Sequence, residues 1–424
     1  MYDIIILGAG PAGLGCALHC AQRGMKTICL ERDTLGTTVH TWLTFNETIE
    51  EYGLHETVRR RFKNIIFSSY LGNSFTFKSS FLVPIEETAA LLHIAQSART
   101  AGADIHDHEE FINYREENDY IIINTTKSTY HGRIVIDAMG RNSSLFPSRG
   151  LYNPITDMGC LAWYLKNANG YDPETCLLYD SFFPGKDYFW VVPFEDDKCM
   201  VGLFFFDSLH DSNMQEKTQT LERYMQVRGI TGEIEEKRLG NIPLGSQDHI
   251  ISGRFIAHGD TANTPLPSSG FGFNRCLEES KYLAFFLEKY FDTTLDGPPL
   301  KLYKQELLAK KIPAIETHLI ISDMLKHFTD HMLNKGIAAL STVEEKFIID
   351  FLAGTDMSIR WVTIALYTIM TTFSLKEIST MSLKQHTFRN LKDIYNLVPA
   401  LPKANLFGQF FSMIKDYMHK QMEG

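Results

Sequence analysis

What the chain lacks excludes several chemistries. No CxxC occurs, and the seven cysteines, at positions 16, 20, 29, 160, 176, 199 and 276, form no regular framework. Reduced thiols are expected, with no disulfide scaffold and no zinc site. Cys16 and Cys20 fall one helical turn apart and read as small core residues. The 15 histidines show no HExxH or similar spacing, so no metal is expected. No basic run occurs, and the formal charge is −10, so nucleic acid is not an expected partner. The most apolar run, Trp361–Phe373, falls short of the ~20 residues a bilayer crossing takes. Internal repeats and low-complexity segments are absent. The first strand begins at residue 2, leaving no room for a leader, and a cytoplasmic location or cytoplasmic membrane face is expected.

The chain of 424 residues is 44% apolar and 22% charged, which suits two or three globular domains with ample core. Its organising stretch is YDIIILGAGPAGLGCALHCAQRGMKTICLERD, residues 2–33. An apolar strand, Tyr2–Leu7, runs into Gly8-x-Gly10-x-x-Gly13. A helix follows to about Gly24, and a second strand ends at Glu31. Gly8 suits the tight turn, Gly10 a close backbone approach to a pyrophosphate, and Gly13 close packing of helix on sheet. The helix N-terminus offers free N–H groups and its positive dipole end to phosphates. Glu31 suits a ribose diol and disfavours a 2′-phosphate, so the ligand is FAD or NAD rather than NADP. Pro11, Ala12 and Arg32 flank these positions and join the candidate cofactor set.

Further along, Asn46–Phe62 reads as a helix interrupted near Gly53, and Ile65–Leu71 and Ser74–Lys78 as a hairpin turning at Gly72-Asn73. Ile85–Ala101 reads as an amphipathic helix. Arg133–Asp137 is a buried strand that ends in Asp137-Ala138-x-Gly140-Arg141, where an open α/β sheet places ligand contacts. Residues 155–250 are dominated by strands: Cys160–Leu165, Thr175–Tyr179, Asp187–Val192 and Cys199–Phe206, with a helix near Met214–Val227. They are rich in rings, including Tyr188, Phe189, Trp190, Phe204 and Phe205. Strand alternation sends some of these to the core and leaves others to line an apolar cavity. Phe255–His258 is another buried strand, running to Gly259-Asp260. The loop Pro267-x-x-Gly270-Phe271-Gly272 follows, and then a helix near Cys276–Tyr290. Thr293–Pro299 reads as a linker, and the rest as mostly helical. Phe407–Glu423 is amphipathic with lysines, a candidate cap or membrane-surface helix.

Taken as a set, Gly8-x-Gly10-x-x-Gly13 with Glu31, Asp137-Ala138-x-Gly140-Arg141, and Gly259-Asp260 with Pro267-x-x-Gly270 resemble the FAD-dependent hydroxylase superfamily. Aromatic-ring monooxygenases, flavin-dependent halogenases, geranylgeranyl reductases and lycopene cyclases belong to it. The resemblance covers residues 1–290 and implies an α/β fold. A Rossmann-type FAD-binding domain (1–155, with an inserted hairpin at 63–84, and again 251–292) would interleave with a β-rich substrate domain (156–250), followed by a helical region (293–424). It also implies that Gly8, Gly10 and Gly13 hold the FAD pyrophosphate and Glu31 the adenosine ribose. Gly259 and Asp260 would meet the pyrophosphate and ribityl chain. Pro267, Gly270, Phe271 and Gly272 would sit beside the isoalloxazine, with Asp137, Gly140 and Arg141 near the cofactor and the nicotinamide approach.

Two departures from the family pattern stand out. Many members carry an arginine in the helix matching 84–98, but here it opens Pro84-Ile85-Glu86-Glu87 with no arginine before Arg99. The strand Cys199–Phe204 lacks the carboxylate that lycopene cyclases place there, which disfavours proton-driven cyclisation. Tyr188-Phe189-Trp190-Val-Val-Pro193 resembles both geranylgeranyl reductases and halogenases. Phe62-Lys63 resembles the segment with the halogenases' reactive lysine, although Lys63 also reads as a surface lysine ending a basic helix. The catalytic candidates are therefore Lys63, Tyr188 and Trp190.

The leading expectation is an FAD-dependent oxidoreductase that oxygenates a largely apolar, unsaturated or aromatic small molecule. Electrons would come from transient NAD(P)H or a partner reductase, because no second GxGxxG exists. The alternatives are a halogenase using Lys63, a geranylgeranyl-reductase-like double-bond reductase, a non-redox isoprenoid cyclase, and a non-catalytic flavoprotein. A carrier-bound substrate or peripheral membrane contact through the C-terminal helices is the expected partnership.

Overall fold

In the computed structural model, the residues described are 1–38, 40–149, 156–185, 187–245, 250–290, 302, 318, 319, 321, 322, 325–354, 372 and 377. Two large sheets organise them. The first runs β16 (Ile251–Ser252), β17 (Phe255–Ala257), β10 (Thr129–Asp137), β1 (Tyr2–Leu7), β2 (Thr27–Leu30) and β7 (Asp104–His106), with β9 (Ile121–Thr125) and β8 (Phe111–Glu116) continuing from β10. The central strands are parallel and buried on both faces, as their unbroken apolar runs require. Helices α1 (Pro11–Gln22), α3 (Glu87–Thr100) and α6 (Phe273–Tyr290) cover it. α1 and α6 approach so closely that a Cβ on Gly15 would lie 2.7 Å from Ser280 Oγ. Cys16 and Cys20 are fully buried in α1.

Register fixes the next level. Leu7 pairs with Asp137, and Asp137 with Ala257. The carboxyl ends of β1, β10 and β17 therefore stand side by side, and the turns that follow them emerge together.

The second sheet runs β15 (Thr231–Leu244), β11 (Thr156–Asn169), β14 (Lys198–Phe205), β13 (Tyr188–Glu195), β12 (Thr175–Asp180), β4 (Asn64–Ser68) and β5 (Ser74–Phe77). The hairpin expected within 63–84 is thus formed, and its strands extend this sheet. β15 was not anticipated. Seven of its first residues are exposed, and a polar edge strand carries no apolar alternation to reveal it. Strand alternation separates two faces. Phe189, Val191, Val201, Leu203 and Phe205 pack against Leu221 and Tyr224 of α5 (Met214–Arg228). Tyr188, Trp190, Val192, Met200, Gly202 and Phe204 turn the other way.

Three expectations need correction. The helix from Asn46 ends at Tyr52 (α2, Asn46–Tyr52), because Gly53 turns left-handed at φ 65°. Val58 then bridges Ile85 and Arg59 N–H donates to Pro84 O, so Arg59–Arg61 are not helical. The helix expected from Cys276 begins at Phe273. Beyond residue 292, α7 (Asp330–Leu340) and α8 (Glu345–Ala353) are helical. The linker Thr293–Pro299, Phe407–Glu423 and, apart from Thr372, the run Trp361–Phe373 lie outside the described residues. Among the described residues no helix is long and apolar enough to cross a membrane.

One buried polar knot ties the hairpin to the α5 side. Asp180, 2% exposed, accepts from Ser68 Oγ at 2.5 Å, Tyr224 Oη at 2.8 Å and the Arg228 guanidinium. Removing one partner of a buried pair strands the others. Asp180→Ala is expected to lower urea-unfolding stability by about 3 kcal/mol, the low end of the usual range because Arg228 keeps contact with water.

Candidate functional site

Three turns meet above the carboxyl ends of the central strands. Gly8 has φ 98°, and a Cβ there would sit 2.5 Å from Ala138 O in the turn after β10. A Cβ on Gly13 would lie 1.8 Å from Gly8 O. Gly259, at φ 66°, would place one 2.6 Å from Ala12 Cβ. The three turns are therefore in contact. Thr261 Oγ1 also donates to Gly140 O at 3.1 Å. In contrast, a Cβ on Gly10 or on Gly140 would meet nothing within 4 Å, so both backbones face open space. Gly10 caps α1, whose first residue is Pro11.

Glu31 accepts from Ala9 N–H at 2.7 Å and Asp33 N–H at 2.9 Å. Each carboxylate oxygen keeps lone-pair capacity for a ribose hydroxyl. Arg32 points to solvent and pairs with Asp33 at 3.0 Å. Asp137 is fully buried, and burial pushes its carboxyl up to about 6 despite its hydrogen bonds. It accepts from Ser143 Oγ at 2.5 Å and Met139 N–H at 3.2 Å, so it braces the Ala138–Ser143 turn from below. Asp260 is half-buried. Burial raises its pKa, while His40 and Arg141 nearby pull it down. Arg99 donates to Ile105 O and supplies no replacement for the family's arginine.

The open faces at Gly10 and Gly140, the α1 N-terminus between them and the Glu31 carboxylate fit an FAD. Gly8, Gly10, Pro11, Ala12 and Gly13 would hold its pyrophosphate and Glu31 its ribose, with Gly259 and Asp260 alongside.

The loop Pro267–Gly272 lies where the two sheets meet. Gly270 has φ 72°, and a Cβ there would approach Ile242 Cδ1 at 3.0 Å and Phe204 Cζ at 4.0 Å. Phe271 stands edge-on to Phe45, centroids 5.1 Å apart. From this point an aromatic face runs across the second sheet. Trp190 lies over Gly202, where a Cβ would come within 1.9 Å of the indole, and packs on Phe204 at 4.3 Å. Tyr188 lies 4.1 Å from Tyr179, and burial holds both phenols protonated, well above their ordinary range. Phe67, Phe75, Tyr179, Phe204 and Phe271 are half-buried on this face. Apolar residues of α7 and α8, among them Leu333, Ile337, Ile348 and Leu352, pack against it.

Tyr188 and Trp190 thus lie on the same aromatic face as Phe204, which reaches the loop at Gly270, but Lys63 does not. Its side chain is 70% exposed and pairs with Glu174 at 2.5 Å on the rim of the sheet. Lys63→Ala is expected to leave flavin content and turnover unchanged and stability within about 0.5 kcal/mol. Sequence reasoning missed His40, Thr261 and Ser143. Ser143 and Thr261 lie just past the motifs at Asp137 and Gly259, and His40 beside none, so only the fold assembles them.

A family model described as pyridine nucleotide-disulphide oxidoreductase matches residues 5–148. Digeranylgeranylglycerophospholipid reductase of Methanococcus aeolicus is 22% identical over 355 residues, covering 74% of this chain and 89% of that protein. A geranylgeranyl bacteriochlorophyll reductase-like protein from Thermoplasma acidophilum superposes with a TM-score of 0.75 at 19% identity, over 90% of this chain and 99% of that one. The chain has the FAD-dependent hydroxylase fold. A halogenase with the same fold, solved in complex with FAD, superposes at a TM-score of 0.65 and 14% identity, over 94% of this chain and 95% of that one. Its fold is therefore shared with geranylgeranyl-reductase-like proteins and flavin-dependent halogenases.

Proposed function

We propose that the protein is an FAD-dependent reductase of carbon–carbon double bonds in a long prenyl chain. The observation that carries this reading is a continuous aromatic face, with Cys160 and Ala162 among its rings, that starts at Gly270 and is covered by α7 and α8, so that a prenyl chain would lie between them in an apolar trough. Cys160 and Ala162, beside the Trp190 indole, would give width for a branched chain, and the rings around them would exclude water. Its polar groups at the far end are the protonated hydroxyls of Tyr179 and Tyr188, which suit an apolar ligand better than a charged one. The relatives that span three-quarters of the chain are named as lipid reductases. That favours reduction over the oxygenation expected from the Asp137 motif, because Asp137 braces a turn that either chemistry would use.

Bound FAD, once reduced, would supply a hydride to each double bond, and the second hydrogen would enter as a proton. The chain's own task is to hold the alkene near the Pro267–Gly272 loop and keep water out. Electrons would come from NAD(P)H or a partner reductase that docks transiently. The substrate would be presented by a lipid surface or carrier.

The test is anaerobic. Photoreduced protein mixed with a geranylgeranyl glycerolipid in detergent should regain its yellow colour as the lipid is saturated. Colour that returns only when air is admitted, with or without lipid, would defeat the reading.

A further inference from the structure

The cofactor loop is held from behind by the C-terminal helices. Near the end of a helix the last carbonyls lack intrahelical partners. In α8 they are met by side chains of the loop and of the first turn of α6. Ser269 Oγ donates to Leu352 O at 3.4 Å, Asn274 Nδ2 to Ala353 O at 3.1 Å, and Arg275 Nη1 to Gly354 O at 3.2 Å. Arg275 is fully buried, and its charge is balanced by Glu279 at 2.7 Å, which also accepts from Thr264 Oγ1 at 3.0 Å. A Cβ on Gly354 would lie 2.9 Å from Leu266.

His318 completes the arrangement. It is fully buried and stacked on Phe351, ring centroids 4.0 Å apart. Its Nε2 lies 3.0 Å from Phe351 O and its Nδ1 2.6 Å from Ser268 Oγ. Burial and the nearby Arg275 push the imidazole down to about 3, so the ring is neutral. A carbonyl only accepts, so Nε2 carries the proton. Nδ1 is then the acceptor, and the Ser268 hydroxyl must donate to it. One rotamer of Ser268 is thereby selected, inside the Pro267–Gly272 loop. The same helix, α8, sends Ile348 and Leu352 into the wall of the aromatic trough.

We infer that His318 is a positioning residue for the cofactor loop, acting through Ser268, and that it transmits filling of the trough, sensed by α8, to the flavin. This rests on the FAD reading above. A long apolar ligand that shifts α8 must shift Phe351 O, and with it the His318–Ser268 link. No electron or proton is transferred along the link, because both hydrogen bonds keep their protons.

The test uses the full chain loaded with FAD and phytanol, a saturated isoprenoid alcohol that cannot react. In the wild type, phytanol should shift the flavin's midpoint potential and the fine structure of its visible band. Ser268→Ala and His318→Ala should bind FAD yet lose most of that shift. His318→Gln, which keeps one donor and one acceptor, should restore it. Should His318→Ala fail to fold, Ser268→Ala, which opens almost no space, decides alone. Variants that respond like the wild type, or a wild-type flavin indifferent to phytanol, overturn the inference.

A protein that never takes up FAD would defeat the cofactor reading instead. Hydrogen exchange of apo-protein then tests the clasp by itself. Amides of residues 264–272 should exchange roughly tenfold faster in Ser268→Ala, and equal rates would overturn it.

Discussion

Gly10→Val is expected to give a folded protein that no longer holds FAD. Gly10 has φ −74° and ψ −173°, extended backbone that a β-branched residue adopts without strain. A Cβ there meets no protein atom within 4 Å, so the apo fold has room for it. Valine is a poorer helix cap than glycine, a cost of about 1 kcal/mol. The added methyls would occupy the space the pyrophosphate needs. FAD affinity should fall at least a hundredfold, about 2.7 kcal/mol. Gly13→Ala makes the contrast, because its Cβ would sit 1.8 Å from Gly8 O. That variant should lose the turn and much of its stability as well as the cofactor. Flavin absorbance and thermal melting of both variants separate the two outcomes. Equal FAD content in Gly10→Val and wild type would mean that the groove lies elsewhere.

The second large effect is expected from Gly202→Ala. Its Cβ would come within 1.9 Å of the Trp190 indole, which is 6% exposed and cannot swing freely. Overpacking of this kind costs about 1–3 kcal/mol and displaces the ring. The displaced indole would intrude on the face along which a prenyl chain is proposed to lie. FAD content should be unchanged, because the three phosphate-side turns are untouched. Turnover of a long-chain lipid should fall by about a hundredfold, or about 2.7 kcal/mol in the barrier. A loss that appears mainly in KM would place the chain over Trp190. Unchanged kinetics would move the substrate off this face.

The cofactor side of the molecule was legible because each turn announces itself locally. Gly8, Gly13 and Gly259 stand where backbone or side-chain atoms allow no Cβ, and Glu31 stands at a strand end. Strand register then does what no single motif could, setting Leu7, Asp137 and Ala257 abreast. The interruption expected near Gly53 is there, but the helix does not resume to Phe62, because the left-handed turn at Gly53 ends it. β15 was missed because its polar residues match no apolar pattern. Lys63 was readable as a reactive group or a rim lysine, since spacing along a chain does not say which side of a sheet's edge a residue reaches. His318 was invisible for a deeper reason. Its partners are a serine hydroxyl and a backbone carbonyl, and a carbonyl leaves no trace in residue type. Asp137 was legible as the end of a buried strand but not as a chemical discriminator, because it supports the turn from within.

The central claim is that three adjoining turns and one aromatic trough form a single path for electrons into an apolar alkene. Mass spectrometry of the lipid after one anaerobic turnover tests it most directly. The account predicts a product heavier by two hydrogens for each double bond consumed, formed without oxygen or halide. A product that carries an added oxygen or halogen atom, or an isomer of unchanged mass, would contradict it.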